Sequence, residues 1–258
     1  MITLKKEKDL VFMRKAGKIV ADVLDMIAEI VRPGLTTAEI DRAADELIRK
    51  AGATPAFKGY RVPGISMAFP GAVCASINKE IVHGIPSSGR YLEEGDIISI
   101  DVGACFSGYY GDAACTYPIG QVSSERKKLL DVTRGSLENA ISAAKAGNTL
   151  GDIGYAVESF ISPHGYGLVR DYSGHGIGTH LHEPPQIPNY GHPGRGITLK
   201  TGMTLAIEPM VMAGAEDVEV GHDQWVVMTV DGSDAAHFER TVLIREGEPE
   251  DLTPWTWA

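Results

Sequence analysis

Three shortages in this sequence each exclude a class of protein. Its cysteines, Cys74, Cys105 and Cys115, are odd in number and lack Cys-x-x-Cys spacing, which argues against a zinc ribbon and indicates a reducing compartment. The formal net charge is −10, which argues against a nucleic-acid surface spread over the chain. No apolar run approaches the roughly 18 residues of a membrane span, and the start, MITLKKEKDL, lacks the apolar core of a secretory signal. We therefore expect a cytoplasmic protein that binds neither DNA nor membranes.

The composition is that of an ordinary globular protein, with 43% hydrophobic and 22% charged residues in a chain of 258. We expect one domain over residues 1–258. The spacing of apolar residues and the capping signals predict helices over 7–31, 36–51, 124–146 and 150–161. Strand-forming runs predict a hairpin within 95–116 and further strands at 73–77, 80–83, 203–207, 217–220, 224–230 and 238–244. Two segments are expected to be loops, 52–72 and, with room for one strand, 163–196.

A faint internal repeat relates the two halves of the chain. Residues 33–52 resemble residues 146–165 at an offset of 113, which pairs Thr36 with Thr149. A second match, at an offset of 107, runs through Leu92 and Asp101, which align with Leu199 and Glu208. We therefore expect two related halves, each with two helices followed by strands, facing each other across one pseudo-symmetric site. Because strands and helices do not alternate regularly, the class is expected to be α+β with a largely antiparallel sheet.

The segment GDIISIDVGACFSGYYGDAACT, residues 95–116, is typical of a β-hairpin around a Ser-Gly turn. If the hairpin is symmetric about residues 105–108, Asp101 and Asp112 lie directly opposite each other. Like charges that face each other across a ladder are destabilising. The pair therefore predicts a bound cation or a shared proton.

The repeat indicates which further carboxylates would join this pair. Glu208 occupies the place of Asp101, and Glu239, inside a β-branched run, is the best candidate counterpart of Asp112. Any one of these acids, taken alone, fits a surface or salt-bridged carboxylate equally well. Together they carry a charge that two divalent ions would offset, because a buried cluster without metal would be prohibitively costly. Oxygen-rich ligation with one or two imidazoles favours Mn, Fe(II), Co or Mg over a structural zinc.

Three histidines lie in glycine-flanked or proline-flanked segments where they could serve a site. They are His175 in SGHGIG, His182 in LHEPP, and His83 in VHGIP, whose HGI repeats the sequence around His175. Glycine beside a histidine lets the backbone approach a ligand closely. The other histidines are expected to be exposed or to lie behind the ligands: His164, His180, His192, His222 and His237.

Together these segments resemble the type I methionine aminopeptidases. The resemblance covers essentially the whole chain and rests on IVHGIP, IDVG followed by GYYGDAA, SGHGIGTHLHEPP, LAIEPM, the tryptophan of DQW, and FERT. It implies the pita-bread fold, a curved and largely antiparallel sheet flanked by two pairs of helices with internal pseudo-two-fold symmetry. HGIP, the short interval between Glu208 and Glu239, and the lack of an N-terminal zinc-binding extension are typical of the short bacterial form.

The resemblance also implies a role for each candidate residue. Two divalent ions (Co, Mn, Fe or Zn), with a bridging hydroxide that attacks the scissile amide, would be held by Asp101, Asp112, His175, Glu208 and Glu239. Glu208 would also act as general base, His182 would donate to the oxyanion, and His83 would contact the scissile nitrogen or the P1′ side. The methionine pocket would be lined by Tyr60, Cys74 and Trp225, with Phe57, Phe69 and Leu181 as weaker candidates.

The implied function is removal of the initiator methionine from nascent polypeptides with a small second residue, by a monomer for which the ribosome is a candidate partner. Two alternatives of the same fold stay open: a prolidase or Xaa-Pro aminopeptidase, and a non-catalytic binding protein. The chain departs from the family pattern at His237 and Arg240, where glutamine and histidine are expected, and in a longer 57–74 segment. Trp255 and Trp257 are expected only to pack on the surface or against a partner.

Overall fold

The computed structural model describes residues 2–256, and the four predicted helices are present in them. Their bounds are α1 (Glu7–Ile30), α2 (Thr37–Lys50), α3 (Ser124–Ala143) and α4 (Leu150–Ile161). The prediction that the third helix reaches residue 146 is wrong, because Ala144 already leaves helical geometry at φ −81° and ψ 56°. Helix α1 packs against α2, and α3 packs against α4. None of the described helices is long and apolar enough to cross a membrane.

The strands of the described residues pair in four small sheets, and every pairing is antiparallel. The first half holds β1 (Thr54–Pro55), β2 (Val73–Ile77), β3 (Glu80–Val82), β4 (Ile97–Phe106) and β5 (Tyr109–Pro118). The second half holds β6 (Gly167–Leu168), β7 (Gly174–Gly176), β8 (Glu183–Ile187), β9 (Thr204–Ile207), β10 (Met210–Met212), β11 (Val218–Val220), β12 (Val227–Thr229), β13 (Ala235–His237), β14 (Arg240–Leu243) and β15 (Glu250–Asp251). The predicted α+β class is therefore confirmed.

The structure departs from the predicted strands at several places. The short strand β1 lies in the predicted loop 52–72, and β10, β13 and β15 lie outside the predicted runs. Residues 163–196 contain β6, β7 and β8 where room for one strand was expected, because glycine-rich and proline-rich sequence hides the period-two pattern. The strand predicted over 238–244 is shorter in the structure, where β14 begins at Arg240 and ends at Leu243. Phe238 and Glu239 lie between β13 and β14, and Glu239 forms an isolated bridge to Ala114 instead.

The internal repeat is visible in the backbone pairing. Thr36 forms an isolated antiparallel bridge with Tyr91, and Thr149 forms one with Thr198, so that both partners shift by the offsets of 113 and 107 seen in the sequence. Both threonines also form capping boxes, at the starts of α2 and α4. In both halves, the threonine at the start of a helix therefore also bridges to the segment that precedes a strand. This shared arrangement confirms the predicted pseudo-symmetry.

The two halves meet along β5 and the start of β14. The amide of Glu239 donates to the carbonyl of Ala114 at 2.9 Å, and the Thr241 hydroxyl donates to the carbonyl of Asp112 at 2.8 Å. The main apolar cluster continues beneath this junction with residues from both halves, among them Leu24, Val102, Leu137 and Val242. The junction therefore holds one carboxylate from each half, Asp112 and Glu239, side by side on a rigid base.

Candidate metal centre

The hairpin of β4 and β5 places two aspartates on one face. Its loop is the two-residue turn Ser107-Gly108, with positive φ at both positions (52° and 82°), so that Phe106 pairs with Tyr109. In this register Asp101 lies opposite Ala114, and Asp112 lies opposite Gly103. The prediction that the two aspartates face each other directly is therefore wrong by two residues. They are diagonal neighbours, close enough for their carboxyl groups to hydrogen-bond when one is protonated.

The second carboxylate pair lies at the end of the equivalent ladder. Glu208 directly follows β9 and Glu239 directly precedes β14, and the last pair of that ladder joins Ile207 to Arg240. The two glutamates therefore leave the sheet from adjacent positions. Because Glu239 also bridges to Ala114 of β5, this pair reaches the aspartates of the first half.

One cavity of about 600 Å³ collects the sequence-predicted site residues. Its wall includes all five candidate metal ligands: Asp101, Asp112, His175, Glu208 and Glu239. It also includes the two candidate catalytic histidines and the six candidate pocket residues: His83, His182, Tyr60, Cys74, Trp225, Phe57, Phe69 and Leu181. The candidate residues, which are spread over the sequence from residue 57 to residue 239, thus lie together around one cavity.

The carboxylates in this cavity are buried, and several of their oxygens lack a hydrogen-bond partner among the described residues. Asp112 and Glu239 are 3% and 2% exposed, and within the part of the chain that the structure describes one oxygen each of Asp101, Asp112 and Glu239 has no hydrogen-bond partner. Burial raises the pKa of Asp101 to about 7, and burial with neighbouring carboxylates raises the pKa values of Asp112, Glu208 and Glu239 well above their ordinary range. Four such groups are ionised together only if cations share the cavity. The orphaned oxygens therefore fit divalent metal ions.

His175 adds a nitrogen donor to this cluster. Its Nδ1 lies 2.9 Å from the carbonyl of Gly176, which places the proton on Nδ1 and leaves Nε2 as an acceptor. Nε2 is 3.8 Å from Asp112 Oδ2 and 3.7 Å from Glu208 Oε1, too far for hydrogen bonds but suitable for donors that share an ion. Ligand atoms of Asp112, His175 and Glu239 all lie within 4.8 Å of one another.

His237 lies close to the carboxylate cluster, although the sequence analysis predicted that it is exposed or lies behind the ligands. It is 1% exposed, and its Nε2 lies 3.7 Å from Glu208 and 3.9 Å from Glu239. Burial lowers its pKa to about 3, so the ring is neutral and can act as a ligand. The sequence contained one indication of this position. His237 and Glu239 are two residues apart, and such residues point to the same face of an extended chain.

His83 and His182 stand beside the cluster as neutral imidazoles. Burial lowers the pKa of His83 to about 4, and burial also lowers the pKa of His182. His83 adopts a left-handed φ of 61°, a strained conformation typical of functional positions. The ring of His182 lies 4.3 Å from that of His175, and its Nδ1 is 2.7 Å from the Tyr60 hydroxyl. Tyr60 therefore fixes the orientation of His182.

The outer wall of the cavity is apolar. Phe69 packs edge-on against Trp225 at 5.2 Å between ring centroids, and the Trp225 indole donates to the carbonyl of Met67 at 3.1 Å. Cys74 is buried, and burial raises the pKa of its thiol well above the ordinary value. Its sulfur is thus a small pocket surface and not a thiolate nucleophile.

Arg240, the other departure from the family pattern, points away from the carboxylates. Its guanidinium donates to Asp251 at 2.5 Å and to the carbonyl of Trp255 at 2.8 Å, and it lies 4.6 Å from the centroid of the Trp255 ring. Arg240 therefore fastens the C-terminal tail next to Glu239, and Trp255 is buried beneath it. Trp257 lies outside the described residues.

Comparison with known proteins agrees with this geometry. The model of metallopeptidase family M24 matches residues 11–246. The chain is 49% identical to a methionine aminopeptidase of Clostridium acetobutylicum, over 98% of this chain and 99% of the relative. It superposes on the crystal structure of methionine aminopeptidase from Thermotoga maritima with a TM-score of 0.94 and 46% identity, covering 98% of this chain and 99% of the other.

A prolidase from Pyrococcus horikoshii shares the fold at a TM-score of 0.76 and 24% identity, and this chain covers only 64% of its length. Prolidases are therefore only distant relatives of this chain. The pita-bread fold expected from the sequence is confirmed. With five candidate oxygen and nitrogen ligands converging in one cavity and full-length similarity of this kind, the chain belongs to the methionine aminopeptidases of metallopeptidase family M24, which are metal-dependent hydrolases.

Proposed function

We propose that this enzyme removes the N-terminal methionine from nascent polypeptides with a small second residue, using two divalent ions held by Asp101, Asp112, His175, Glu208 and Glu239. The observation that carries the proposal is the buried carboxylate cluster with orphaned oxygens. Divalent ions bound there would polarise a peptide carbonyl and activate a water molecule. The cavity over the cluster has an apolar wall suited to an unbranched thioether side chain.

The side chains around the ions divide the proton transfers. Glu208, whose carboxylate is buried beside His175, accepts the proton of the attacking water. His182 donates from Nε2 to the oxygen on which negative charge develops. His83, held neutral in the wall, contacts the scissile nitrogen or the P1′ side of the substrate.

Tyr60 supports the role of His182. Burial and the nearby Asp112 raise the pKa of Tyr60, so its hydroxyl keeps its proton at neutral pH. When that hydroxyl donates to Nδ1 of the neutral His182, the single imidazole proton is on Nε2, the atom that must donate to the substrate. Tyr60 is thus a positioning residue as well as part of the pocket wall.

The pocket for methionine uses the aromatic face of the cavity. Trp225 and Phe69 form a rigid edge-to-face pair, and Cys74 keeps the floor small and apolar. Because the walls are fixed by packing and by the indole hydrogen bond to Met67, an unbranched side chain is expected to fit better than a β-branched one.

The test is cleavage of Met-Ala-Ser and of Ala-Pro dipeptides by the same preparation with added Co(II) or Mn(II). We expect release of methionine from the first and no hydrolysis of the second, and the opposite result would overturn the assignment. Glu239→Gln and Asp101→Asn should each abolish turnover while the fold persists. The matched control is Glu138→Gln, which changes an exposed acid outside the cavity.

We further propose that the enzyme works on nascent chains as a cytoplasmic monomer. The negative formal charge of −10 does not favour non-specific adhesion to ribosomal RNA, so any ribosome contact would have to be local. Sedimentation with ribosomes at two salt concentrations tests such contact, and size-exclusion chromatography with light scattering tests the monomer.

A further inference from the structure

His237 is a second imidazole that reaches the carboxylate cluster. It ends β13, where it pairs with Met210, and it is almost fully buried. Its amide donates to the hydroxyl of Thr116 at 2.9 Å, and its carbonyl accepts from the same hydroxyl at 2.8 Å. In contrast, Nε2 of the ring is buried and has no hydrogen-bond partner among residues 2–256. The backbone is thus fixed by the fold, while one ring nitrogen is left for a ligand.

The distances around Nε2 match those of a shared ion. Nε2 is 3.7 Å from Glu208 Oε2 and 3.9 Å from Glu239 Oε2, which exceeds the length of a hydrogen bond. Two donors bound to one ion at about 2.1 Å each lie about 3–4 Å apart. His175 shows the same relation to its carboxylates, at 3.7 and 3.8 Å. Both imidazoles are therefore placed as metal donors, although only His175 belongs to the five-ligand set.

The potential ligands form two groups that share one carboxylate. Asp112, His175 and Glu239 form the first, and Glu208, His237 and Glu239 form the second, each with its ligand atoms within 4.8 Å of one another. We propose that His237 is a sixth ligand of the centre and binds one of the two ions through Nε2, together with Glu208 and Glu239. This inference rests on the proposed metal centre and adds one nitrogen donor to it.

A purely supporting role for His237 fits the geometry less well. A residue that orients a carboxylate does so through a hydrogen bond, and neither glutamate lies within that range of Nε2. The ring also lines an adjoining cavity of about 490 Å³ that it shares with Asp101, His175 and Glu208. The ring therefore borders a space next to the one that holds the five candidate ligands.

Proton NMR of the Co(II)-loaded enzyme can count the bound imidazoles. Each imidazole bound through Nε2 carries an Nδ1 proton whose resonance is strongly shifted by the paramagnetic ion and is lost on exchange into deuterium oxide. We expect two such resonances in the wild type and one in His237→Gln. Calorimetry should show that one of the two Co(II) equivalents binds at least about tenfold more weakly in the variant, the lower limit known for residues that only support a ligand.

Two controls keep the result specific. His192→Gln changes an exposed histidine outside the cavity and should leave both resonances and both affinities unchanged. His237→Asn is measured beside His237→Gln, and thermal unfolding of the metal-free forms confirms that both fold, which is expected because the bonds to Thr116 involve only backbone atoms of His237.

The outcomes separate this inference from the proposed function. A wild type that binds two ions and cleaves methionine peptides, with the same spectrum and affinities in both His237 variants, would overturn the sixth ligand alone. A wild type that binds no divalent ion would overturn the metal centre itself. Loss of one resonance and of one high-affinity equivalent, with the His175 signal retained, supports His237 as a ligand.

Discussion

Replacing Tyr60 by phenylalanine removes one hydroxyl and keeps the aromatic ring in the pocket wall. That hydroxyl lies 2.7 Å from Nδ1 of His182. Without it, the ring loses the hydrogen bond that holds its proton on Nε2 and can adopt the tautomer that cannot donate to the substrate. A neutral hydrogen bond contributes about 0.5–1.5 kcal/mol, so we expect kcat for Met-Ala-Ser to fall by about 2–10-fold with little change in KM.

The mechanism behind this loss is tested by a double-mutant cycle with His182→Ala. Removal of an oxyanion donor costs about 10²–10³-fold in kcat, so His182→Ala should be far more damaging than Tyr60→Phe. If Tyr60 acts through His182, then Tyr60→Phe should have almost no further effect in the His182→Ala background. Initial rates for the four proteins, at saturating substrate and with the same metal loading, provide the comparison.

An equal loss from Tyr60→Phe in both backgrounds would refute the reasoning, because the hydroxyl would then act on the substrate without His182. A large rise in KM with unchanged kcat would also refute it and would place Tyr60 only in the pocket. Tyr155→Phe is the matched control, since Tyr155 is exposed and outside the cavity and should retain wild-type kinetics.

Three further outcomes are expected. Burial raises the pKa of Asp101 to about 7 from an ordinary 3.8, so the metal-free protein loses stability as the pH rises between these two values. The difference in melting temperature between Mn(II)-loaded and EDTA-treated protein should therefore grow from pH 5 to pH 7.5. A difference that shrinks over this range would contradict the prediction. Glu239→Gln should lower kcat/KM by more than about 100-fold while the metal-free protein melts no lower than wild type; a clearly lower melting temperature would point to a structural role. Gly17→Ala should lower the free energy of unfolding in urea by about 1–3 kcal/mol, since a Cβ there would lie 1.9 Å from the Leu252 carbonyl oxygen. At Gly247 an added Cβ would have no atom of the described residues within 4 Å, so Gly247→Ala should be nearly neutral.

The pH prediction separates the effect of the carboxylates from that of His83. Burial lowers the pKa of His83 to about 4, so the unfolded chain binds more protons than the fold between that value and 6.5, and stability rises with pH there. His83 is not a proposed ligand, so this contribution is the same in the metal-loaded and metal-free proteins. It therefore cancels in the difference of melting temperatures.

Much of the site followed from local sequence and from the repeat. The offset of 113 paired Thr149 with Thr36, and the offset of 107 paired Glu208 with Asp101. The register of the hairpin did not follow, because the same letters allow a four-residue or a two-residue loop. Only the positive φ values at Ser107 and Gly108 decide between them.

By itself, the sequence indicated the four helices, the repeat, the five candidate ligands with His83 and His182, and the family. These depend on short-range periodicity and on motifs in which neighbouring residues act together. Only the tertiary structure decided that His237 turns its ring toward the carboxylates while Arg240 turns to the C-terminal tail. The two residues flank Phe238 and Glu239 in the chain, and their neighbours in space set the directions of their side chains. His237 pairs with Met210. Arg240 contacts Asp251 and Trp255. Long-range packing therefore sets the directions of these two side chains. The alternation of side chains along a single strand does not show which side faces a metal and which faces the C-terminal tail.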